Sequence, residues 1–167
     1  MDEARQQAEW KQWLEEYAPK FLLFGRQQAR SEEDAQDLVQ EALVEAAQRL
    51  QHNRPPPPAL VFATIRRRAI DLARREARRN QRELSSVAAA TDSWFDPGVE
   101  QRELARVIQD AMAKLPDIYR EVIALKIWGD LTFAEIAEVV GIPANTAASR
   151  YRYGLEELRK TTKEVLT

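Results

Sequence analysis

Apolar residues recur along this chain at intervals of three and four, and nowhere do they alternate over a useful length with the period of two that a strand needs. The spacing predicts helices almost throughout. The first covers about 2–29 and is expected to be interrupted near Pro19, which has no N–H to donate. A second runs from Ser31, an N-cap with Asp34 in the capping-box position, to about Leu50. Its apolar face is Ala35, Leu38, Val39, Ala42, Leu43, Ala46, Ala47 and Leu50. The run "NRPPPP", Asn53 to Pro58, reads as a stiff non-helical loop. A third helix follows from about Ala59 to Arg82, with Phe62, Ile65, Ala69, Leu72 and Ala73 on its buried side. Residues 84–96 then lose both charge density and periodicity and read as a linker.

Beyond the linker, Asp96-Pro97 predicts the N-cap and first residue of a fourth helix. Pro116 opens a fifth, which Gly129 ends. Thr132 and Glu135 form a capping box for a sixth, and Pro143 opens a last helix reaching about Lys163. The expected fold class is therefore all-α: two small helical domains, 1–83 and 97–167, joined by a flexible linker, 84–96. The second domain carries a helix-turn-helix signature. Ala137, Gly141 and Ala147 sit four and six residues apart, so that a small residue lets two helices cross closely and a glycine makes the tight turn. Its last helix carries Asn145, Thr146, Ser149, Arg150 and Arg152, side chains able to reach phosphates and base edges. Read blandly, the same segment is a helical hairpin in which Leu115, Val122, Ile123, Leu125, Ile136, Val140, Ile142 and Leu155 are only core. Those residues are expected to be core in either case, but the spacing, the cap and the polar face favour DNA recognition.

Charge sharpens this picture. The whole chain has a formal net charge of −2, but residues 62–82 hold 8 basic and 2 acidic groups. In the third helix Arg67, Arg74, Arg75, Arg78 and Arg82 project opposite the apolar side, with Arg66 near its boundary. Guanidinium groups so crowded repel one another unless a polyanion neutralises them, which points to nucleic acid. The second helix carries the opposite sign: Asp34, Asp37, Glu41 and Glu45 form a stripe beside its apolar face. Such a stripe is most often a solvated surface; its functional reading is a dock for a basic partner.

Other chemistry finds little support. Cysteine is absent, which removes disulfides and thiolate metal sites. His52 stands alone, the five glycines form no phosphate-binding loop, and no catalytic constellation is visible. An enzyme is not expected, nor a metal or cofactor. Trp10, Trp13, Trp94, Phe95 and Trp128 are scattered and read as packing residues. No apolar run approaches the roughly 20 residues of a membrane span, and the N-terminus is unlike a signal peptide, so a cytoplasmic protein is expected.

Taken in order, "DAQDLVQE" (34–41), "RRRAIDLARR" (66–75), a polar linker and "LPDIYREVIALKIWGDLTFAEIAEVVGIPANTAASRYRYGLEELR" resemble a bacterial RNA polymerase sigma factor of the sigma-70 family, the extracytoplasmic-function type. The resemblance covers about residues 15–160. It implies a factor that binds the polymerase core enzyme and promoter DNA and directs initiation. Asp34, Asp37, Leu38 and Glu41 would dock on the clamp of the largest subunit, and the second domain would meet the flap of the next. Asn53 and Arg54 in the proline loop, with Phe62, Arg66, Arg67, Arg74, Arg75 and Arg78, would recognise and open the minus-10 element. Thr132, Asn145, Thr146, Ser149, Arg150 and Arg152 would read the minus-35 element. An anti-sigma factor is the expected regulator. The chain departs from the family's usual residues at Leu60 (commonly Trp), Arg67 (commonly Asn) and Ala147-Ala148 (commonly Val-Lys). Two other readings stay open: a stand-alone helix-turn-helix regulator, and a polymerase-binding adaptor without initiation activity.

Overall fold

The computed structural model describes residues 2–49, 54–80 and 102–166, and among them every regular element is helical. The chain divides into two compact units, Met1–Thr91 and Asp92–Thr167. Several expectations fall outside the described residues: the linker 84–96 with Trp94 and Phe95, the Asp96-Pro97 cap, Leu50, His52, Asn53 and Arg82.

The first unit is a three-helix cluster of α1 (Asp2–Gln28), α2 (Glu32–Arg49) and α3 (Pro58–Asn80), each packed on the other two. Contrary to expectation, α1 runs unbroken through Pro19. Proline in a helix interior costs about 3 kcal/mol, chiefly a lost hydrogen bond and a ring clash. Here Pro19 lies on the exposed side, where water can satisfy the released carbonyl. Ring contacts also pin the two halves across it: Trp13 to Phe21 at 5.5 Å and Tyr17 to Phe21 at 6.0 Å between centroids. The second correction lies at the proline run. Pro58 is the first residue of α3 rather than part of the loop, because a first-turn residue needs no N–H and the pyrrolidine ring already holds a helical φ.

At the start of α2, Ser31 Oγ accepts the Asp34 N–H at 3.1 Å, the expected N-cap. Arg26 grips Glu32 with two hydrogen bonds, 2.8 and 2.9 Å, across the α1–α2 turn. That grip holds the Glu32 carboxyl below its ordinary value. The core is aromatic. Phe62 of α3 meets Phe21 and Phe24 of α1 edge to face, at 4.9 and 5.5 Å. Such pairs contribute about 0.5–1.5 kcal/mol each beyond area burial. Ala35, Leu38, Val39, Ala42 and Ala46 complete it from α2 as the periodicity predicts, whereas Ala47 is exposed. The buried Thr64 hydroxyl is satisfied by donating to the Leu60 carbonyl at 2.8 Å.

The second unit contains α4 (Arg102–Lys114), α5 (Asp117–Ile123), α6 (Phe133–Val140) and α7 (Ala144–Leu166), with α4, α5 and α6 all packed on α7. Pro116 opens α5 from the N-cap position, one place before the first helical residue. A π-helical turn, Ala124–Trp128, extends α5, so the helix widens before Gly129 ends it. Positive φ then falls on Asp130 (55°), a residue type that tolerates the left-handed region better than most. The core comprises Met112, Leu115, Val122, Ile123, Leu125, Ile136 and Ala147, among others. Ile142 and Leu155, expected inside, are half-buried.

Two devices set the angles. Arg120 reaches back to α4 and its exit, donating to the carbonyls of Met112 (2.9 Å), Ala113 (3.0 Å) and Leu115 (2.6 Å). It thereby satisfies acceptors that a helix end leaves open. Gly154 lets α7 approach α5 closely: a Cβ there would stand 2.7 Å from Ile123 Cδ1 and 3.0 Å from Tyr119 Cβ.

Candidate nucleic-acid and polymerase interfaces

The recognition element of the second unit is built by its stops. Thr132 caps α6 by accepting the Glu135 N–H at 3.1 Å, while Glu135 accepts the Thr132 N–H at 3.0 Å. Both halves of the predicted capping box are present, and the hydroxyl of Thr132 keeps its own proton to donate. Gly141 ends α6 in the left-handed conformation, φ 79°, where an L side chain is strained. Its N–H and that of Ile142 both reach the Ala137 carbonyl, at 2.8 and 3.1 Å. The chain then turns through Pro143 into α7.

Ala147 is fully buried and marks the inner side of α7. Asn145 and Arg152 are exposed; Thr146, Ser149 and Arg150 are half-buried. Asn145, Ser149 and Arg152 stand at intervals of four and three and so share a face, close to the positive end of the helix dipole. Phe133 and Tyr151 brace the two helices, rings 5.6 Å apart. The sequence reading had no role for Lys126. Its ammonium donates to the Leu131 carbonyl at 3.2 Å and lies 4.6 Å from the Phe133 ring centroid, tying the π-helical turn to α6.

In the first unit, α2 and α3 bring opposite charges together. A polar groove between them is lined by Asp34, Asp37, Glu41 and Glu45 from one helix and Arg67, Arg68, Asp71 and Arg75 from the other. Arg67 donates to Glu45 Oε2 at 2.6 Å. Arg68 donates to Glu45 Oε2 at 3.1 Å and to Glu41 Oε2 at 2.9 Å. Arg49 adds a third guanidinium, 3.6 Å from Glu45. Burial alone would raise the Glu45 carboxyl, but hydrogen bonds from Arg68 and Arg67, with their charges, outweigh it and hold the group below its ordinary value.

Leu38 is 4% exposed and Phe62 1%, so both lie in the core, as the apolar periodicity of their helices predicts, although the family resemblance also counts them among the docking and minus-10 residues. Asp37 and Glu41 are exposed, and Asp34 is half-buried. Arg54, Arg67, Arg74, Arg75 and Arg78 are exposed, and Arg66 is half-buried. Arg68 had no expected role, and Glu45 was expected only as a member of the acidic stripe, not as the partner of α3. No spacing within one helix links residue 45 to residues 67 and 68; the one hint was that an acidic stripe and a basic helix occur on consecutive elements. Among the described residues no group of three or more His, Cys, Asp or Glu is placed to hold a metal ion, and no helix is long and apolar enough to cross a membrane.

These two surfaces fall within segments that match known families. Residues 13–79 match sigma-70 region 2, and residues 105–158 match sigma-70 region 4. Over 160 residues the chain is 30% identical to the ECF RNA polymerase sigma factor RpoE of Cereibacter sphaeroides, covering 93% of this chain and 87% of that one. It is 33% identical over 135 residues to the ECF sigma factor SigL of Mycobacterium tuberculosis, covering 78% and 76% of the two chains. With the ECF sigma factor SigW of Bacillus subtilis it shares 40% identity over 70 residues, 42% of this chain and 37% of the relative. In fold it is similar to the sigma factor RpoE of Bartonella quintana, solved with the anti-sigma factor NepR, at a TM-score of 0.70 and 22% identity over 92% of this chain and 96% of that one. Two helical units, one pairing an acidic helix with a basic one and the other a helix-turn-helix, are thus joined to similarity along nearly the whole chain: the protein belongs to the extracytoplasmic-function sigma factors of the sigma-70 family, which direct transcription initiation by RNA polymerase.

Proposed function

We propose that the chain divides this work between its two units. The first, 1–83, docks on the polymerase clamp through Asp34, Asp37 and Glu41 of α2 and opens the minus-10 element with α3. Arg66, Arg74, Arg75 and Arg78 follow the DNA backbone, while Asn53 and Arg54 border the loop that receives an unstacked base. The second unit, 97–167, meets the flap and reads the minus-35 element through Asn145, Thr146, Ser149, Arg150 and Arg152, with Thr132 at the edge of the contact. Residues 84–96 link the two. The protein acts without catalysis of its own, in the cytoplasm, under an anti-sigma factor. Opening DNA by such means uses binding energy: unstacking costs a few kcal/mol per step, offset by captured bases and phosphates.

The observation that carries this reading is the two-sidedness of α7. Ala147 is wholly buried while Asn145 and Arg152 stand in solvent on the opposing side, near a capped, left-handed turn. The test is transcription from genomic DNA fragments by the purified chain with polymerase core enzyme, mapping each new start. Starts sharing two upstream motifs at fixed spacing are expected. Arg150→Ala with Arg152→Ala should abolish those starts and leave binding to the core enzyme intact. Asp37→Lys with Glu41→Lys should remove binding to the core enzyme itself. Equal loss of core-enzyme binding in the α7 variant would overturn the minus-35 assignment. Retained binding in the α2 variant would overturn the docking assignment.

A further inference from the structure

The basic face of α3 does not present all of its arginines alike. Arg74, Arg75 and Arg78 are exposed, with no carboxylate within ion-pair distance among the described residues. Arg67 and Arg68, one turn or more earlier, are bound to α2. The Arg67 guanidinium donates to both oxygens of Glu45, and Arg68 bridges Glu45 and Glu41. Glu45 is the hub: its side chain is 22% exposed, against 45% for Arg67 and 34% for Arg68. A lone exposed ion pair contributes little. A partly buried carboxylate shared by two hydrogen-bonded guanidinium groups is stronger, because charge-assisted bonds reinforce one another away from bulk water.

We propose that Glu45 is a positioning residue that holds Arg67 and Arg68 against α2 and so withholds both cations from the DNA backbone. The inference rests on the reading that α3 meets DNA, and it identifies which of the helix's arginines do so. Phosphates contacted by α3 are fewer than its arginine count implies, and Glu45 sets that number. With Glu45 neutralised, Arg49 and Arg67 lose the carboxylate they bind and Arg68 keeps only its bond to Glu41, while Asp34, Asp37 and Asp71 remain elsewhere along the groove. Mutual repulsion then drives the α3 arginines outward, where the nearest anions are phosphates.

A merely structural clasp between α2 and α3 would alter stability but not the number of phosphates neutralised. Salt dependence counts that number directly: log K against log [NaCl] steepens by about 0.7 for each phosphate contacted on a single strand. The experiment titrates the full chain with a fluorescent single-stranded DNA of random sequence across a series of NaCl concentrations. Elution salt from immobilised heparin is read in parallel. Glu45→Gln should steepen the slope by about 0.7 to 1.4, one or two added contacts. Arg67→Ala with Arg68→Ala should leave the wild-type slope unchanged. The triple variant, E45Q with R67A and R68A, should return to the wild-type slope, which separates released arginines from the simple loss of a negative charge.

Arg74→Ala with Arg75→Ala tests the underlying reading and should flatten the slope. If it does, yet E45Q changes nothing, or R67A with R68A flattens the wild-type slope equally, the role of Glu45 is overturned. If R74A with R75A and E45Q all leave the slope and the heparin elution unmoved, the DNA-facing reading of α3 fails, and this inference with it. Should E45Q fold poorly, R67A with R68A alone still tests the proposal, because a flattened slope in that protein overturns it.

Discussion

In the proposed function the two units share a problem, presenting a charged helix to DNA, and their structures treat the charges on that helix differently. The first neutralises part of its charged helix internally: Glu41 and Glu45 of α2 hold Arg67 and Arg68 of α3. The second leaves Arg150 and Arg152 without such carboxylates among the described residues and spends its polar interactions on backbone ends. Thr132 and Glu135 cap α6, Arg120 binds the carbonyls that close α4, and Gly141 takes the left-handed turn. The contrast teaches that helix–helix geometry can be set by side-chain charge or by chain termination. The first option engages Arg67 and Arg68 with carboxylates, which in the proposed reading withholds them from DNA; the second makes no such demand on Arg150 and Arg152. Core composition differs in parallel. The first unit packs aromatic edges around Phe62, whereas the second brings α5 and α7 together at Gly154.

The largest effect should come from the aromatic core. Phe62→Ala removes a fully buried ring and is expected to destabilise the first unit by about 3–5 kcal/mol. Hydrogen exchange measured by peptide should show protection lost in α1–α3 and kept in α6 and α7. Loss that instead appeared only as weaker DNA binding, with protection intact, would return Phe62 to the DNA surface. Next is Gly154→Val, which drives a branched side chain into Ile123 and Tyr119. Overpacking of this kind costs about 1–3 kcal/mol, and the same exchange experiment should now report α5 and α7 rather than the first unit.

The smallest effect is a pH dependence confined to the first unit. The Glu45 carboxyl is held below its ordinary value of 4.5, so its contribution is complete above that pH and is lost as pH falls through the lowered folded value. Urea midpoints for α1–α3 should therefore fall as the pH is taken below 4.5 in the wild type and fall less in E45Q. Parallel decline in both proteins would mean that Glu45 contributes nothing to the acid limb.

What the sequence by itself determined was whatever depends on neighbours within a turn or two. The helical period, the Ser31 cap, the Thr132/Glu135 box, Gly141 as a left-handed stop and the inward alanine at 147 were all legible, because each is an interaction over four residues or fewer. Resemblance in the order of motifs carried the family. Tertiary structure alone decided the rest. Whether Pro19 breaks α1 depended on rings either side of it and on which face met water. Whether Ala47, on the apolar face of α2, is covered depended on where helices far away in sequence come to lie. Which arginines of α3 are already engaged depended on carboxylates 22 to 27 residues distant. A helical projection assigns a side chain to a face of its own helix; only the packed neighbours determine whether that face meets solvent, an apolar core or an opposing charge.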